Sequence, residues 1–341
     1  MVYFQSRMTA PAFHLFFHSP CFDGIVSAVL MHDFLSHNHP ACPVVLHPVN
    51  YHLNDTWATT KLDKPCAVVD FLYHPDAQIW FDHHSTTFLE PALKDDFLRR
   101  QSPMLVYDPT FSSCALLIWN KLEGIRNLEG KHLAKVEAAD RIDSARYDSP
   151  EEAVFSDAPA MRINASLAVG EELEEYSKRL VVELRSHTLD EAGKSPEVQA
   201  RYMRFVDLRD RGLQRLRCAA CLTTDGIVVF DVDGTDAVVS RYGSFLFFPK
   251  ARYSLGIVRY ESKGKITAMR NPWLDFQSIP LGEIFSNFGG GGHQRVASTR
   301  VRWTAASDDG SLMLKAILTA IRGALEARGE EARHDRALQF L

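Results

Sequence analysis

The sequence predicts an α/β protein in three parts: an N-terminal domain built on a parallel sheet, a helical connector, and a smaller α/β domain at the C-terminus. Three observations predict it. Short apolar runs alternate with helical patterns through the first third of the chain, and strands alternating with helices imply a parallel sheet covered on both faces. From Lys131 to about Arg217 the pattern turns mostly helical and charged, interrupted by Ser149-Pro150 and Ser195-Pro196. Strand-like runs then return, in a chain of 341 residues that is long enough for two cores. The expected boundaries are 8–185, 186–217 and 218–341. Residues 1–7 are set apart because Tyr3-Phe4-Gln5-Ser6 looks like the scar of a protease-cleavable expression tag, with the natural start at Met8.

Taken in order, Phe13 to Phe17 reads as a buried strand. Gly24 to Leu35 has apolar residues at Ile25, Val26, Val29, Leu30 and Phe34, the spacing of a helix face. Val44 to Leu46 is the next strand and completes a β-α-β opening. Ala67 to Phe71 and Gln78 to Phe81 supply two more strands, and Met104 to Tyr107 a further one. Ser112 to Leu122 reads as a helix whose start has Ser112 and Ser113 as cap candidates. In the C-terminal part Gly226 to Phe230, Ser244 to Phe248, Tyr253 to Arg259 and Ile266 to Met269 read as strands. Ser311 to Leu325 reads as an amphipathic helix.

Composition narrows the function. Hydrophobic residues at 46% and charged residues at 24% are ordinary for a globular chain. No apolar run approaches the ~18 residues that would span a bilayer, so no membrane partner is expected. The six cysteines (Cys21, Cys42, Cys66, Cys114, Cys218, Cys221) have no framework spacing, and no secretory segment is visible. A reducing cytoplasm is the expected location. Cys218 and Cys221 have zinc or redox spacing without a second pair, which leaves packing as the simpler role. The net charge of −5 argues against coating of long nucleic acid and favours small anionic substrates. The arginine-rich segment from Arg201 to Arg217 reads as a solvated helix face.

Ligands of an open parallel sheet sit beyond the carboxyl ends of its strands, and the reactive side chains fall there. His18, Cys21 and Asp23 follow the first strand, and Gly24 opens the helix. Asp70 ends the run Ala67-Val68-Val69. Asp82, His83 and His84 end Ile79-Trp80-Phe81, and Asp140 closes the helical stretch Val136-Glu137-Ala138-Ala139. A single Asp at a strand end is usually a turn or a cap. Four successive ends carrying carboxylates and imidazoles are harder to explain that way, because gathered carboxylates repel one another without cations between them. Oxygen and nitrogen ligands of this kind suit Mn²⁺, Mg²⁺ or another first-row divalent ion. There are ligands enough for two ions, and two ions ~3.5–4 Å apart are suited to phosphoester hydrolysis.

These residues resemble the motifs of the DHH phosphoesterases, a family that includes RecJ-type exonucleases, nano-RNases, cyclic-dinucleotide phosphodiesterases and exopolyphosphatases. The resemblance covers nearly the whole chain beyond the tag-like residues: His18 to Gly24 is similar to the first motif, Asp70 to the second, Asp82-His83-His84 to the third and Asp140 to the fourth, with Asp143 the less favoured choice. It implies two divalent ions, Mn²⁺ first and Mg²⁺ or Co²⁺ as alternatives, with Asp70 bridging them and His83 a ligand. His18, Asp23 and Asp140 complete the implied set. Asp82 and His84 orient His83 or contact the phosphate. In one departure, the common first motif has two aspartates where this chain has Cys21 and Asp23. Cys21 is then either a soft metal ligand or a small buried residue.

The C-terminal run Phe288-Gly289-Gly290-Gly291-Gly292-His293-Gln294-Arg295 can bring several N–H groups close to an anion, with His293 and Arg295 as charged donors. Read alone it also fits a flexible loop. It resembles the substrate loop of the DHHA1 domain that accompanies DHH domains, and Arg270 resembles that domain's strand arginine. The resemblance therefore implies a phosphate grip by Arg270, Gly290, Gly291, Gly292, His293 and Arg295, an active site in the interdomain cleft, and attack by a metal-bound hydroxide. The expected substrates are short oligonucleotides, dinucleotides or nucleotides, with polyphosphate as an alternative and a homodimer as an option. A catalytically degenerate nucleotide sensor is the non-enzymatic alternative. A separate reading comes from Ile227-Val228-Val229-Phe230-Asp231-Val232-Asp233-Gly234-Thr235, which matches the first motif of haloacid-dehalogenase-like phosphatases with Asp231 as nucleophile. Lys250 and Asp308-Asp309 would have to serve its later motifs, and it leaves the first 220 residues unexplained.

Overall fold

The computed structural model describes residues 12–122, 131–303 and 310–329. The tag-like segment with the expected start at Met8, the chain beyond 329, and Asp308-Asp309 lie outside them. Two compact units result, Met1–Arg146 with Asp157–Tyr202, and Tyr147–Ser156 with Met203–Leu341. The chain crosses between them three times, and the last crossing falls within one continuous helix, Pro196–Ala219, and not at the expected positions 185 and 217. No helix among the described residues is long and apolar enough to cross a membrane.

The first unit opens with strand β1 (Phe13–His18), helix α1 (Phe22–Asn38) and strand β2 (Val44–Val49). Strands β3 (Cys66–Val69) and β4 (Ile79–Asp82), helix α2 (Pro91–Arg100), strand β5 (Leu105–Tyr107) and helices α3 (Cys114–Lys121) and α4 (Leu133–Asp143) follow. Helices α5 (Pro159–Ser166) and α6 (Leu173–Ser186) complete the part used below. All five strands run parallel in the order β2-β1-β3-β4-β5.

Both faces of this sheet are buried, and the period of two sorts its side chains between them. Leu15, Phe17, Val69 and Phe81 join α1 on one face, where Ile25, Val26, Val29 and Leu30 are fully buried. Phe16, Val68 and Trp80 join Trp57 and Tyr73 on the other. Each such side chain contributes about 1.5–3 kcal/mol of transfer free energy. The register fixes the functional edge. Phe17 lies opposite Val69, and Val69 opposite Phe81, so His18, Asp70 and Asp82 leave the sheet side by side.

The second unit contains helix α7 (Pro196–Ala219), shared across the division, and strands β6 (Cys221–Leu222) and β7 (Ile227–Asp233). It continues with helix α8 (Gly243–Phe247), strands β8 (Tyr253–Tyr260) and β9 (Lys263–Arg270), helix α9 (Leu281–Ser286), strands β10 (Gly291–Gly292) and β11 (Val296–Arg302) and helix α10 (Ser311–Ala327). The sheet order is β10-β11-β9-β8-β7-β6, with only β7 and β8 parallel. Tyr253, Leu255, Ile257 and Ile266 pack against Phe285 of α9 and Ile317 and Ile321 of α10.

Three expectations change here. Ser244 to Phe248, expected as a strand, lies almost wholly in helix α8. Tyr242 and Phe245 both meet Trp273, at centroid distances of 6.0 Å each, and residues three apart share a face only on a helix. Asp231 lies inside β7, and Arg259 takes both its carboxylate oxygens, at 2.6 and 2.8 Å. That removes the support for Asp231 as a nucleophile. Cys218 and Cys221, expected to pack, are exposed.

Candidate metal centre

The strand ends of the first unit deliver the expected side chains to one place. Cys21 is the N-cap residue of α1, and Asp23 lies in that helix's first turn. The turn comes so close to β1 that a Cβ on Gly24 would sit 2.1 Å from the carbonyl oxygen of His18 and 3.1 Å from Asp70 Oδ2. Only glycine fits there, which explains its place directly after Asp23. Asp70 leaves β3 with φ of 56°, a left-handed conformation that Asp tolerates better than most residues and that turns its carboxylate toward His18.

Three overlapping groups of ligand atoms, each within 4.8 Å of one another, occur among the described residues: Asp70, Asp82, His83 and His84; His18, Cys21 and Asp70; and Asp23, His83 and Asp143. Asp70 and His83 link them. His83 Nδ1 donates to the Phe111 carbonyl at 3.1 Å, which makes Nε2 the lone-pair atom of the neutral ring. That atom points at carboxylates, 3.5 Å from Asp143 Oδ2 and 3.8 Å from both Asp23 Oδ2 and Asp70 Oδ1. Both His83 Nε2 and Asp70 Oδ1 are buried with no hydrogen-bond partner. A lone pair facing buried carboxylates is repulsive unless a cation stands between them. The donor set therefore fits a divalent ion.

Electrostatics agree with the geometry. Burial, with Asp23, Asp143 and Asp82 close by, pushes the Asp70 carboxyl well above its usual range. Burial and the charge of His84 push His18 down to about 3, which keeps the imidazole neutral and able to coordinate. Asp82 Oδ1 accepts from the His83 and His84 backbone N–H groups, at 2.9 and 3.4 Å, and from His84 Nδ1 at 2.7 Å. Burial lowers the His84 pKa, but the Asp82 charge outweighs it and holds the group up at about 9. The pair is an imidazolium clamped to a carboxylate.

Asp140 is not in any of these groups. It accepts from Ser112 Oγ at 2.5 Å and Ser113 Oγ at 3.1 Å, and it pairs with Arg146. Its contacts hold the loop that presents the Phe111 carbonyl to His83, and the geometry puts Asp143, one helical turn later, among the carboxylates. Sequence spacing alone does not separate two aspartates three residues apart on one helix face. Asp23 has a second duty that was not foreseen: its oxygens accept from the backbone N–H groups of Cys114 (2.7 Å) and Ala115 (2.9 Å), capping α3.

In the second unit the expected phosphate grip takes a different form. Arg270 is buried and donates to the carbonyls of Asn271, Leu274 and Phe276. Its guanidinium lies 4.3 Å from the Phe276 ring centroid. These contacts lock the loop after β9 and turn most of the guanidinium's donors toward the chain's own carbonyls. The glycines are equally committed. Gly289 and Gly290 donate to the carbonyls of Ser286 and Phe285 at the end of α9, while Gly291 and Gly292 pair with Ser298 and Ala297. Gly292, at φ of 147°, would put a Cβ 2.4 Å from the Val296 carbonyl oxygen. The run is thus a helix cap followed by a hairpin, not an open nest of N–H groups. His293, Gln294 and Arg295 are exposed at its tip.

Neither a family model nor a curated protein matches the chain by sequence. Solved structures do match. The pGpG-specific phosphodiesterase PggH from Vibrio cholerae is similar with a TM-score of 0.67 at 17% identity, over 92% of this chain and 99% of that one. A DHH-domain member of the s1p family of ribosomal proteins has a TM-score of 0.57 at 10% identity, over 91% of this chain and 86% of its own. RecJ from Thermus thermophilus, solved with Mn²⁺, has a TM-score of 0.55 at 15% identity. The match covers 94% of this chain and 52% of RecJ. At these identities the likeness is one of fold, and the chain has the α/β fold of a DHH-domain protein.

Proposed function

We propose that the chain is a divalent-metal-dependent phosphoesterase of the DHH family that hydrolyses phosphoester bonds in short oligonucleotides, linear dinucleotides or nucleotides. The observation that carries this reading is the convergence of His18, Cys21, Asp23, Asp70, His83 and Asp143 on one sheet edge, with the buried atoms His83 Nε2 and Asp70 Oδ1 left unpartnered. His18, Cys21 and Asp70 would hold one ion. Asp23, His83 and Asp143 would hold a second, with Asp70 between the two. Ions bound there would polarise a phosphoryl oxygen and acidify a water molecule.

The chain's own residues supply the rest. The Phe111 carbonyl fixes the His83 tautomer, and Asp140 fixes the loop bearing that carbonyl through Ser112 and Ser113. Asp82 keeps His84 charged beside the carboxylates, a place from which an imidazolium balances phosphate charge as the ester bond breaks. His293 and Arg295 at the hairpin tip would donate to a substrate phosphate, while Arg270 and the glycines shape the segment that carries them. The substrate class finds support in PggH, the similar protein whose match spans nearly all of both chains and whose name gives a linear dinucleotide as its substrate.

Replacing Asp70 with Asn tests the reading. Hydrolysis of pGpG in Mn²⁺ should fall by at least about a hundredfold, the loss that follows removal of one preorganised transition-state contact. Undiminished turnover by Asp70→Asn would remove the proposed centre. Cyclic dinucleotides, phosphoadenosine phosphate and polyphosphate complete the panel. Turnover of polyphosphate alone would move the substrate assignment, and nucleotide binding with no turnover of any substrate would make the chain a sensor.

A further inference from the structure

The second sheet carries unbalanced charge on one face. In the β9–β11 register Lys263 lies directly opposite Arg302, and Lys265 directly opposite Arg300. All four side chains are exposed, and none forms an ion pair or hydrogen bond among the described residues. Like charges facing each other across a ladder are destabilising. Four arginines of this unit do have acidic partners: Arg259 with Asp231, Arg322 with Asp225, Arg215 with Asp233 and Arg211 with Asp207. The Lys265 ammonium is pushed down by partial burial and by Arg241 and Arg300, with no acid to offset them.

The same face is open at these strands. Over β7 it is covered, because Phe230 and Val232 pack with Leu216 of α7, and Val258 of β8 joins that cluster. In the β8–β9 register Val258 faces Lys265, and Tyr260 faces Lys263. Tyr260 is 39% exposed, which adds an aromatic ring at the edge of the basic grid. Thr267 and Ser298, the next opposed pair, extend the grid with two hydroxyls. Paired cations beside an exposed aromatic are what a surface needs to follow a phosphodiester backbone while a base stacks on it.

We propose that the face formed by Lys263, Lys265, Arg300, Arg302 and Tyr260 is a docking strip for single-stranded nucleic acid. It draws on no residue of the metal centre and stands apart from the chemistry proposed there. The strip gives a chain with net charge of −5 a local means of holding a strand longer than a dinucleotide.

Fluorescence anisotropy with the full chain tests this, using labelled RNA of about 20 nucleotides, the length of a few binding sites, and a labelled dinucleotide. A chelator keeps the strands intact. The parent should bind the longer strand more tightly than the dinucleotide. Replacing Lys265 and Arg300 together with Gln should weaken the longer strand by about tenfold or more. It should also flatten the dependence of log K on log salt by about 0.7 for each phosphate that is no longer neutralised. Lys263→Gln with Arg302→Gln should do the same. Neither pair should lower the melting temperature, since each removes a repulsion. Tyr260→Ala should weaken RNA and leave binding of inorganic polyphosphate, used as a probe, unchanged. The proposal is overturned if both paired variants bind the longer strand as the parent does. It is also overturned if polyphosphate or poly-glutamate binds as tightly as RNA and Tyr260→Ala changes nothing.

Discussion

Cys21 shows how one atom is pulled in two directions. It is the N-cap residue of α1, with φ of −143° and ψ of 134°. A helix N-terminus ordinarily favours the thiolate. Here burial comes first, followed by the charges of Asp70, Asp143 and Asp23, and together they push the thiol well above its usual range. His18, Cys21 and Asp70 would hold a divalent ion only with that balance reversed, because the thiolate and the carboxylate would then share a positive charge. Sulfur in a set otherwise made of nitrogen and oxygen also favours a softer ion. Loading with Co²⁺ makes this visible. The parent should show a sulfur-to-cobalt charge-transfer band in the near ultraviolet that Cys21→Ser lacks, while both proteins keep visible ligand-field bands. Visible bands without the near-ultraviolet one in the parent would return Cys21 to a packing role. The sequence places Cys21 two residues before Asp23, but only the fold shows that Asp70 approaches it.

At the scale of elements, the far end of α1 is tied down by a polar triad. Asp33 accepts from His132 Nε2 at 2.8 Å and from Arg185 Nε at 2.6 Å, joining α1 to the start of α4 and the end of α6. Burial works to raise the Asp33 pKa, and these two hydrogen bonds outweigh it, holding the carboxyl at about 2 against an ordinary 3.8. The folded value lies below the unfolded one. The stabilisation is therefore complete above about pH 4 and is lost as pH falls through about 2. Asp33→Asn should cost on the order of 1–2 kcal/mol at pH 7, after allowance for solvent screening. Urea midpoints should show that deficit shrinking as pH falls toward 2, and a deficit independent of pH would assign the loss to packing alone. Strands β1, β3 and β4 are readable in the sequence because each is a short apolar run closed by a polar residue. Helix α8 and the β10–β11 hairpin are not, because the four apolar residues Phe245 to Phe248 fit either period and a glycine run does not reveal which carbonyls its N–H groups will meet.

For the whole molecule, the two units and the gathering of His18, Cys21, Asp23, Asp70 and His83 in the first are legible from pattern, while the division between them is not. Helix α7 runs unbroken through Tyr202 and Met203, so no proline, glycine or change of composition marks the last place where the chain passes from one core to the other. Arg270 is hidden for a similar reason. A strand arginine looks like a ligand group until the carbonyls of Asn271, Leu274 and Phe276 are seen to occupy it. The separate cores make a thermal prediction. An ion that binds only the folded first unit stabilises it by about 2.7 kcal/mol at a hundred times its Kd. For a unit of this size that corresponds to a rise of roughly 5–10 °C. In scanning calorimetry Mn²⁺ should move the transition of the first unit, and Asp70→Asn should abolish the movement. Arg270→Ala should lower the transition of the second unit, because it frees the loop after β9, and should leave the Mn²⁺ response intact. If Mn²⁺ moves no transition in the parent, the carboxylates and His83 hold no ion. If Arg270→Ala removes the response, the ligands of the first unit are not sufficient to hold the ion.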